Sequence, residues 1–285
     1  MTTEILAAIA DVQSDVGAVS TKLDAITALV EALEEPTTPP PSSGATIVRE
    51  YGGTLSNGGG KVLNVSALRW LSDDVDPVVI EVPASTLDLA TNGLGGLDTG
   101  SPAANSTYHT FCVLNPTTGE TGVIASLSPS LASPPAGFTV KAYMWPMLTD
   151  AASDWIKFSQ MGNEFLRDEP LAFPSIGNPG ILGTLRPAGV PTGVKVHAKL
   201  MVAMWTGTAV IRSLLVSSPD QADVPATGTR FSLRSSGNAN DRQSSEYLVR
   251  TDIAGNFRTR MEASDGNTGI FYTNFGWYVN QRRCL

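Results

Sequence analysis

The amino-acid sequence predicts a mainly β protein, in which an N-terminal coiled-coil helix precedes an antiparallel β-sandwich head that is jelly-roll-like. Three observations support this prediction. Apolar residues recur at alternating spacings of four and three over residues 5–33, prolines follow at once, and period-two alternation dominates the rest. A sustained 3.5-residue period is typical of a coiled coil, whereas period two is typical of half-buried strands.

The coiled coil is predicted over residues 1–35, as a stalk or docking helix. β-Branched residues fill most of its core positions, including Val12, Val19 and Ile26 at d, where a parallel dimer prefers leucine. We therefore expect three parallel helices and a homotrimer. The alternative is one amphipathic helix folded onto its own domain. The predicted trimerisation residues are Ile5, Ile9, Val12, Val16, Val19, Leu23, Ile26, Val30 and Leu33.

A Pro-rich neck is predicted over residues 36–44. Pro36 ends the helix, and the Pro39, Pro40 and Pro41 run that follows favours an extended polyproline conformation. The head is predicted over residues 45–285. Its stretch from 166 to 191 has many Pro and Gly breakers and few periodic positions, so it predicts a linker or a long crossing loop at which the head could subdivide.

The strands of the head are predicted from alternation between Gly, Pro, Asn and Asp clusters such as Asn57-Gly58. The longest pattern places Val194, Val202 and Met204 on one face, with Lys195, His197 and Lys199 opposite. Regular turns between many strands favour one antiparallel sandwich. The predicted strands cover residues 62–68, 78–82, 109–114, 122–127, 138–143, 155–161, 194–204, 209–216, 230–233, 247–250, 257–262, 269–272 and 276–279.

The composition argues against several classes of partner. The net charge is −8, and Arg282-Arg283 is the one basic run, so nucleic acid is not expected. No stretch of 18 apolar residues occurs and no basic region precedes the first apolar residues, so neither membrane insertion nor a signal peptide is expected. Cys112 and Cys284 are expected to be free thiols.

Motifs for catalysis are absent, and we predict no enzyme, no catalytic residue, no cofactor and no metal site. His109 and His197 lie in strand patterns without metal-ligand spacing. The acidic groups at residues 73–76 and 168–169 are typical of solvated turns, although glycosidase carboxylates or calcium ligands are the alternative. Trp205 is the tentative ligand-binding residue, because it falls on the face opposite Val202 and Met204 and an exposed indole can stack on a sugar ring.

Residues 97–109, LDTGSPAANSTYH, resemble the DTG-x-x-AANT-x-Y segment of tailed-bacteriophage virion proteins of the fibre or spike type. Residues 125–138 and 150–160 fit the same pattern. Residues 276–283 are similar to the GW-x-D-x-RGR ending of those proteins, with Asn280 in place of an acid and no glycine between the arginines. The resemblance implies a structural component of the virion, made in the cytoplasm of the bacterial host, with other virion proteins of the tail, baseplate or capsid as partners.

Three functions are compatible with these features. The first is a homotrimeric tail fibre or spike that attaches by its N-terminal helix and presents the β head to a host-surface glycan. The alternative is a capsid decoration or head spike protein that stabilises the shell. The third is a glycan-degrading tailspike enzyme, which would need a pair of catalytic carboxylates.

Overall fold

The computed structural model describes Gln13, Asp15, Val19, Lys22, residues 53–174 and residues 177–279. The chain divides into two compact units, residues 1–49 and residues 50–285. The four described residues of the first unit are helical. The rest of the predicted stalk, and the whole of the predicted neck, lie outside the described residues. In the described part of the chain no helix combines the length and apolarity that crossing a membrane requires.

The first part of the head, up to residue 148, forms three antiparallel sheets. Their strand orders are β1-β2-β5, β3-β4 and β7-β6-β8. The strands are β1 (Leu55–Gly59), β2 (Val62–Val65), β3 (Leu68–Leu71), β4 (Val79–Val82), β5 (Ser85–Asp88), β6 (Thr107–Leu114), β7 (Thr121–Ser126) and β8 (Val140–Leu148).

The second part of the head forms two larger antiparallel sheets, with strand orders β15-β12-β17-β10-β9 and β11-β16-β13-β14. The strands are β9 (Phe158–Met161), β10 (Glu164–Phe173), β11 (Thr184–Pro187), β12 (His197–Thr206), β13 (Ser213–Ser217), β14 (Leu233–Arg234), β15 (Asp241–Arg250), β16 (Asn256–Met261) and β17 (Thr268–Tyr278).

Strands β10 to β17 are arranged as a jelly roll. Along the chain they alternate between the two larger sheets, except that β13 and β14 are neighbours in one sheet, and each sheet receives four of the eight. Strand β9 adds a fifth strand at the edge beside β10. The prediction of a mainly antiparallel β head is therefore confirmed. The sandwich occupies residues 164–278, however, and not the whole head, because residues 55–148 pair among themselves.

The core of the sandwich follows from the alternation along β12. Ala198, Leu200, Val202 and Met204 are all buried, as the period-two pattern predicts. The opposite sheet contributes Phe257, whose ring meets Tyr272 of β17 edge-on at 5.0 Å between centroids. Aromatic edge-to-face contacts of this kind fix the two layers against each other.

The two parts of the head share one core. Trp145 of β8 contacts Phe165 of β10 at 6.2 Å between ring centroids, and Phe165 stacks on Trp277 of β17 at 5.4 Å and an interplanar angle of 6°. All three rings are buried. The buried apolar residues accordingly form a main cluster that runs through both parts, and residues 50–285 make up one unit.

Residues 166–191, predicted as a linker or crossing loop, instead contain most of β10 and all of β11. The pattern was hidden because β10 is interrupted: its pairing with β17 shifts between Leu166 and Leu171, which leaves Arg167, Asp168, Glu169 and Pro170 as a bulge. Polar residues in a bulge break the period-two signal although the strand continues.

Three successive backbone carbonyls, beginning with the last residue of β11, accept hydrogen bonds from side chains of β17 and β10. The Tyr272 hydroxyl donates to Pro187 O at 2.9 Å, the Asn274 amide donates to Ala188 O, and the Arg167 guanidinium donates to Gly189 O at 2.6 Å. Because buried carbonyls need donors, these side chains replace the pairing that the irregular segment lacks. They connect the four-stranded sheet to the five-stranded one.

Candidate ligand-binding face

Of the predicted trimerisation residues, the structure describes Val19. It is helical, and its side chain is 65% exposed. Gln13, Asp15 and Lys22, which the heptad places at e and g positions, are helical and exposed as well. Ile5, Ile9, Val12, Val16, Leu23, Ile26, Val30 and Leu33 lie outside the described residues.

Trp205, the tentative ligand-binding residue, lies near the end of β12 on the side of the five-stranded sheet that faces away from the sandwich core. We call this side the outer face. Val202 and Met204, which point inward, are buried, whereas Trp205 is half-buried. A Cβ atom placed on Gly207 would lie 3.0 Å from the Trp205 ring. The indole therefore lies against glycine backbone, and Gly269 opposite it on β17 adds no side chain to cover it.

Strand register places an arginine and a phenylalanine beside this indole. Arg242 of β15 is directly opposite Trp205, and Phe271 of β17 is opposite Ala203. The Arg242 guanidinium carbon lies 6.0 Å from the centre of the Phe271 ring, a cation–π distance. Trp205, Arg242 and Phe271 are called the aromatic patch below.

The arginine reaches Phe271 by crossing an intervening strand. β12 lies between β15 and β17, and neighbouring strands are about 4.8 Å apart. Ala203 has a small side chain and is only 5% exposed although it points to the outer face. This burial fits an arginine chain that lies over Ala203 and carries the guanidinium across β12 toward Phe271.

The other end of the outer face carries a charge cluster, which we define as Glu164, Lys199, Glu246 and Tyr278. The Lys199 ammonium lies 3.1 Å from a Glu164 oxygen and 3.6 Å from a Glu246 oxygen. Glu164 is buried, and burial by itself would raise its pKa. Hydrogen bonds from Tyr278 and Lys199, with the charge of Lys199, outweigh burial and hold the pKa of Glu164 below its usual value.

Glu164, the buried carboxylate of the charge cluster, does not have the property of a glycosidase general acid. Glycoside hydrolysis needs one carboxyl group with a raised pKa, to protonate the leaving oxygen. Glu164 has the opposite shift. The hydrogen bond between Lys199 and Glu164 is the main cause of the raised pKa of Lys199. A second hydrogen bond, between Tyr278 and Glu164, is the main cause of the raised pKa of Tyr278. The cluster is therefore an ion-paired network in which each charge stabilises its neighbour.

The other residues considered for chemistry have structural environments. His109 is buried, its Nδ1 lies 3.0 Å from the Tyr143 hydroxyl, and burial lowers its pKa to about 4. Burial also lowers the pKa of His197, and the positive charge of Arg250 lowers it further by a smaller amount. Cys112 is a buried free thiol against Met144, with a pKa raised by burial. Cys284 lies outside the described residues.

The acidic groups at residues 73–76 and 168–169 are not assembled into a site. A carboxylate oxygen of Asp73 accepts a hydrogen bond from the Tyr143 backbone amide at 2.8 Å, and Asp74 and Asp76 are exposed. Asp168 and Glu169 are exposed in the bulge of β10. Among the described residues, no group of three or more His, Cys, Asp or Glu side chains could hold a metal ion.

The residues that carry the virion-protein resemblance have structural roles in the described part of the chain. The Asp98 carboxylate accepts hydrogen bonds from Ser126 Oγ at 2.6 Å and from the Thr99 backbone amide at 2.8 Å. The hydroxyl of buried Tyr108 accepts one from the Ala103 amide at 2.8 Å. Trp277 is fully buried in the aromatic core. These motifs stabilise the head and do not line the aromatic patch.

Sequence reasoning found Trp205 but missed Arg242 and Phe271. Phe271 falls within a predicted strand, but nothing local shows which strand pairs with it. Arg242 precedes the predicted strand 247–250, which in the structure begins at Asp241. Their proximity depends on the order β15-β12-β17, which brings together residues more than 25 positions apart in the chain.

Comparison with known proteins adds no identification: no family model matches this chain, and no curated protein matches it.

Proposed function

We propose that this chain is a structural component of a tailed-phage virion, a homotrimeric tail fibre or spike whose N-terminal helix attaches it to the particle. Its β head binds a glycan on the host surface. The aromatic patch is the observation that carries the adhesion part of the proposal. The sequence resemblance over residues 97–109 and 276–283, together with the heptads over residues 5–33, supports the virion part.

The aromatic patch suits a carbohydrate ligand for physical reasons. The apolar face of a pyranose ring packs on an aromatic face, and polar groups at the edge bind its hydroxyls. Trp205 is supported from below by the backbone of Gly207, so it loses little conformational freedom when a ligand binds. Arg242, directly opposite Trp205 on β15, offers hydrogen-bond donors within the same patch.

Trimerisation would strengthen such binding. A single aromatic patch is small, and its affinity for a sugar is expected to be low. Three heads on one axis can engage a repetitive polysaccharide together, so avidity exceeds the affinity of each head. The exposed, helical Val19 supports a trimer, because a d-position valine would be covered by the partner helices.

Labelling of intact particles tests the virion role. An antibody raised against the purified head, detected with gold by electron microscopy, is expected to mark the tail or its tip. Label distributed over the shell would replace adhesion by the capsid decoration role. Absence of the chain from purified particles would refute both.

Substitution of Trp205 tests the adhesion role. Trp205→Ala is expected to lower binding of the trimer to host cells at least tenfold, because it removes the stacking surface. The matched control is Phe231→Ala, which removes an exposed ring with an arginine above it, Arg234 at 5.7 Å, just before β14 of the four-stranded sheet. Equal binding by both variants would contradict the assignment. Release of reducing ends from host polysaccharide would instead indicate the tailspike enzyme.

A further inference from the structure

We infer that the aromatic patch recognises an acidic polysaccharide, one with carboxylate-bearing sugars such as uronic acids, and that Arg242 binds the carboxylate. This inference rests on the proposed adhesion function and names the class of glycan. It depends on the ion pairing of the outer face, on the position of the Arg242 guanidinium, and on the engagement of the nearby acids.

Within the described part of the chain, Arg242 is the unpaired cation of β12, β15 and the residues leading into them. Lys195 and Arg250 both pair with Asp220, at 2.5 Å and 3.1 Å. Lys199 pairs with Glu164 and Glu246. No carboxylate among the described residues lies within ion-pair distance of Arg242, whose side chain is exposed. Among the described residues of β12 and β15, one positive charge is thus left without an ionic partner, on the strand position opposite the half-buried indole of Trp205.

The guanidinium is positioned for a ligand. Packing over Phe271 at 6.0 Å reduces its freedom, while its N–H groups remain without a protein carboxylate. Side chains directly opposite on antiparallel strands have Cβ atoms about 5 Å apart. One sugar residue can therefore contact the Trp205 ring while its carboxylate meets Arg242. Arginine suits this role because its planar donors match the two oxygens of a carboxylate.

The nearest acids do not oppose a negative ligand at Arg242. Asp241 is the next residue and is kept ionised by hydrogen bonds from the Ser236 amide and the Gln243 side chain, but it pairs with Thr206 and so points to the side of the sheet away from Arg242. Glu246 lies toward the charge cluster and pairs with Lys199. Asp265 pairs with Arg212 at 2.7 Å. The overall charge of −8 repels acidic glycans at long range, so a short-range contact with this one cation must supply the preference.

The test uses an array of bacterial capsular polysaccharides and lipopolysaccharides. Each acidic glycan is printed in native form and after chemical reduction of its carboxyl groups to alcohols, which removes the charge and keeps the sugar ring. Wild-type full-length protein is expected to bind native acidic glycans at least tenfold better than their reduced forms, since a charge-assisted hydrogen bond contributes roughly that factor or more. Neutral glycans should behave like the reduced ones.

Matched variants separate the effect of the Arg242 charge on binding from an effect on folding. Arg242→Gln should lose the same factor on native glycans and no longer distinguish them from reduced ones, whereas Arg242→Lys should retain part of the preference. Arg250→Gln changes an ion-paired arginine on the same strand and should bind as wild type does. The melting temperatures of the variants confirm that each is folded.

The outcomes distinguish this inference from the proposed function. If wild-type protein binds reduced or neutral glycans as tightly as native acidic ones, and Trp205→Ala abolishes that binding, adhesion stands and the acidic ligand is refuted. If wild-type protein shows the preference but Arg242→Gln leaves it intact, adhesion stands and the assignment of the carboxylate to Arg242 is refuted. If no glycan is bound by the trimer, both the inference and the adhesion role are refuted.

Discussion

Substitution of Gly276 by alanine should destabilise the head strongly. Gly276 lies in β17 with φ of +152°, and a Cβ atom placed there would be 2.0 Å from the Phe165 carbonyl oxygen of β10. Ordinary contacts of a Cβ atom begin at 3.4 Å, so the two strands would have to separate by more than 1 Å. Separation would disrupt the stacking of Phe165 on Trp277, which joins the two parts of the core.

The expected magnitude combines backbone strain with lost packing. A side chain in this region of φ costs about 1–3 kcal/mol, and disturbing a buried aromatic stack adds a similar amount, for a total of about 3–5 kcal/mol. For a head of this size each kcal/mol lowers the melting temperature by about 2–4 °C, so a fall of about 10 °C is expected.

Differential scanning calorimetry of the purified protein measures this effect. Gly162→Ala is the matched control, because Gly162 has φ of +59° with no atom within 4 Å of the added methyl group; it should cost only about 1–2 kcal/mol. Gly266→Ala also meets nothing within 4 Å and has no positive φ, so it should be neutral. A Gly276→Ala head that melts within about 2 °C of wild type would refute the close-approach argument.

Two further substitutions test the charged groups of the five-stranded sheet. Glu164→Gln should lower stability at pH 7, because the depressed pKa of Glu164 contributes stability that is present above its ordinary value of 4.5 and is lost as pH falls through the folded-state pKa. The difference in melting temperature between this variant and wild type should thus be constant from pH 6 to 8 and shrink below pH 4.5. A difference that does not depend on pH would contradict the ion-pair account. The control is Glu120→Gln, which removes an exposed carboxylate. Arg167→Met keeps an unbranched apolar stem but removes the guanidinium, and with it the bond to Gly189 O and the cation near the Trp277 ring. It should cost about 1.5–3 kcal/mol in urea unfolding, and an unchanged unfolding midpoint would show that the contact is dispensable.

The sequence predicts strands of this head well where one face is continuously buried. β16 alternates throughout and β12 alternates except at buried Ala203, because each has one face on the core, and the predicted ranges overlap the observed strands to within three residues at each end. β17 was predicted as two strands, 269–272 and 276–279, with polar Asn274 in the gap between them. In the structure Asn274 donates to a carbonyl of another segment, so the reason that it lies within a continuous strand is tertiary.

Short or interrupted strands are hidden from local patterns. Asn57-Gly58 was predicted as a turn, but both residues lie within β1, and the chain turns at Gly60 with φ of +56°. β1 pairs with β2 along a bulged register, so its irregular sequence is tolerated. β10 was missed for the same physical reason, since a bulge of polar residues carries no periodic signal.

The candidate site, too, is predictable from the sequence only in part. The side of β12 that carries Trp205 follows from parity along one strand, so the sequence alone suffices for it. Arg242 and Phe271 join the indole through pairing with two other strands. Pairing is determined by the jelly-roll topology, and one sequence contains no information on register between distant strands beyond the apolar pattern.

Sedimentation equilibrium of the full-length protein at micromolar concentration tests the central claim, that three chains associate through their N-terminal helices to form one fibre or spike. We predict a particle of three times the 30.0 kDa mass of one chain. Val19→Asp, which would place three carboxylates in one core layer, should yield monomers with an unchanged melting temperature of the β head. A wild-type protein that sediments as a single chain, or a Val19→Asp variant that remains trimeric, would contradict the account.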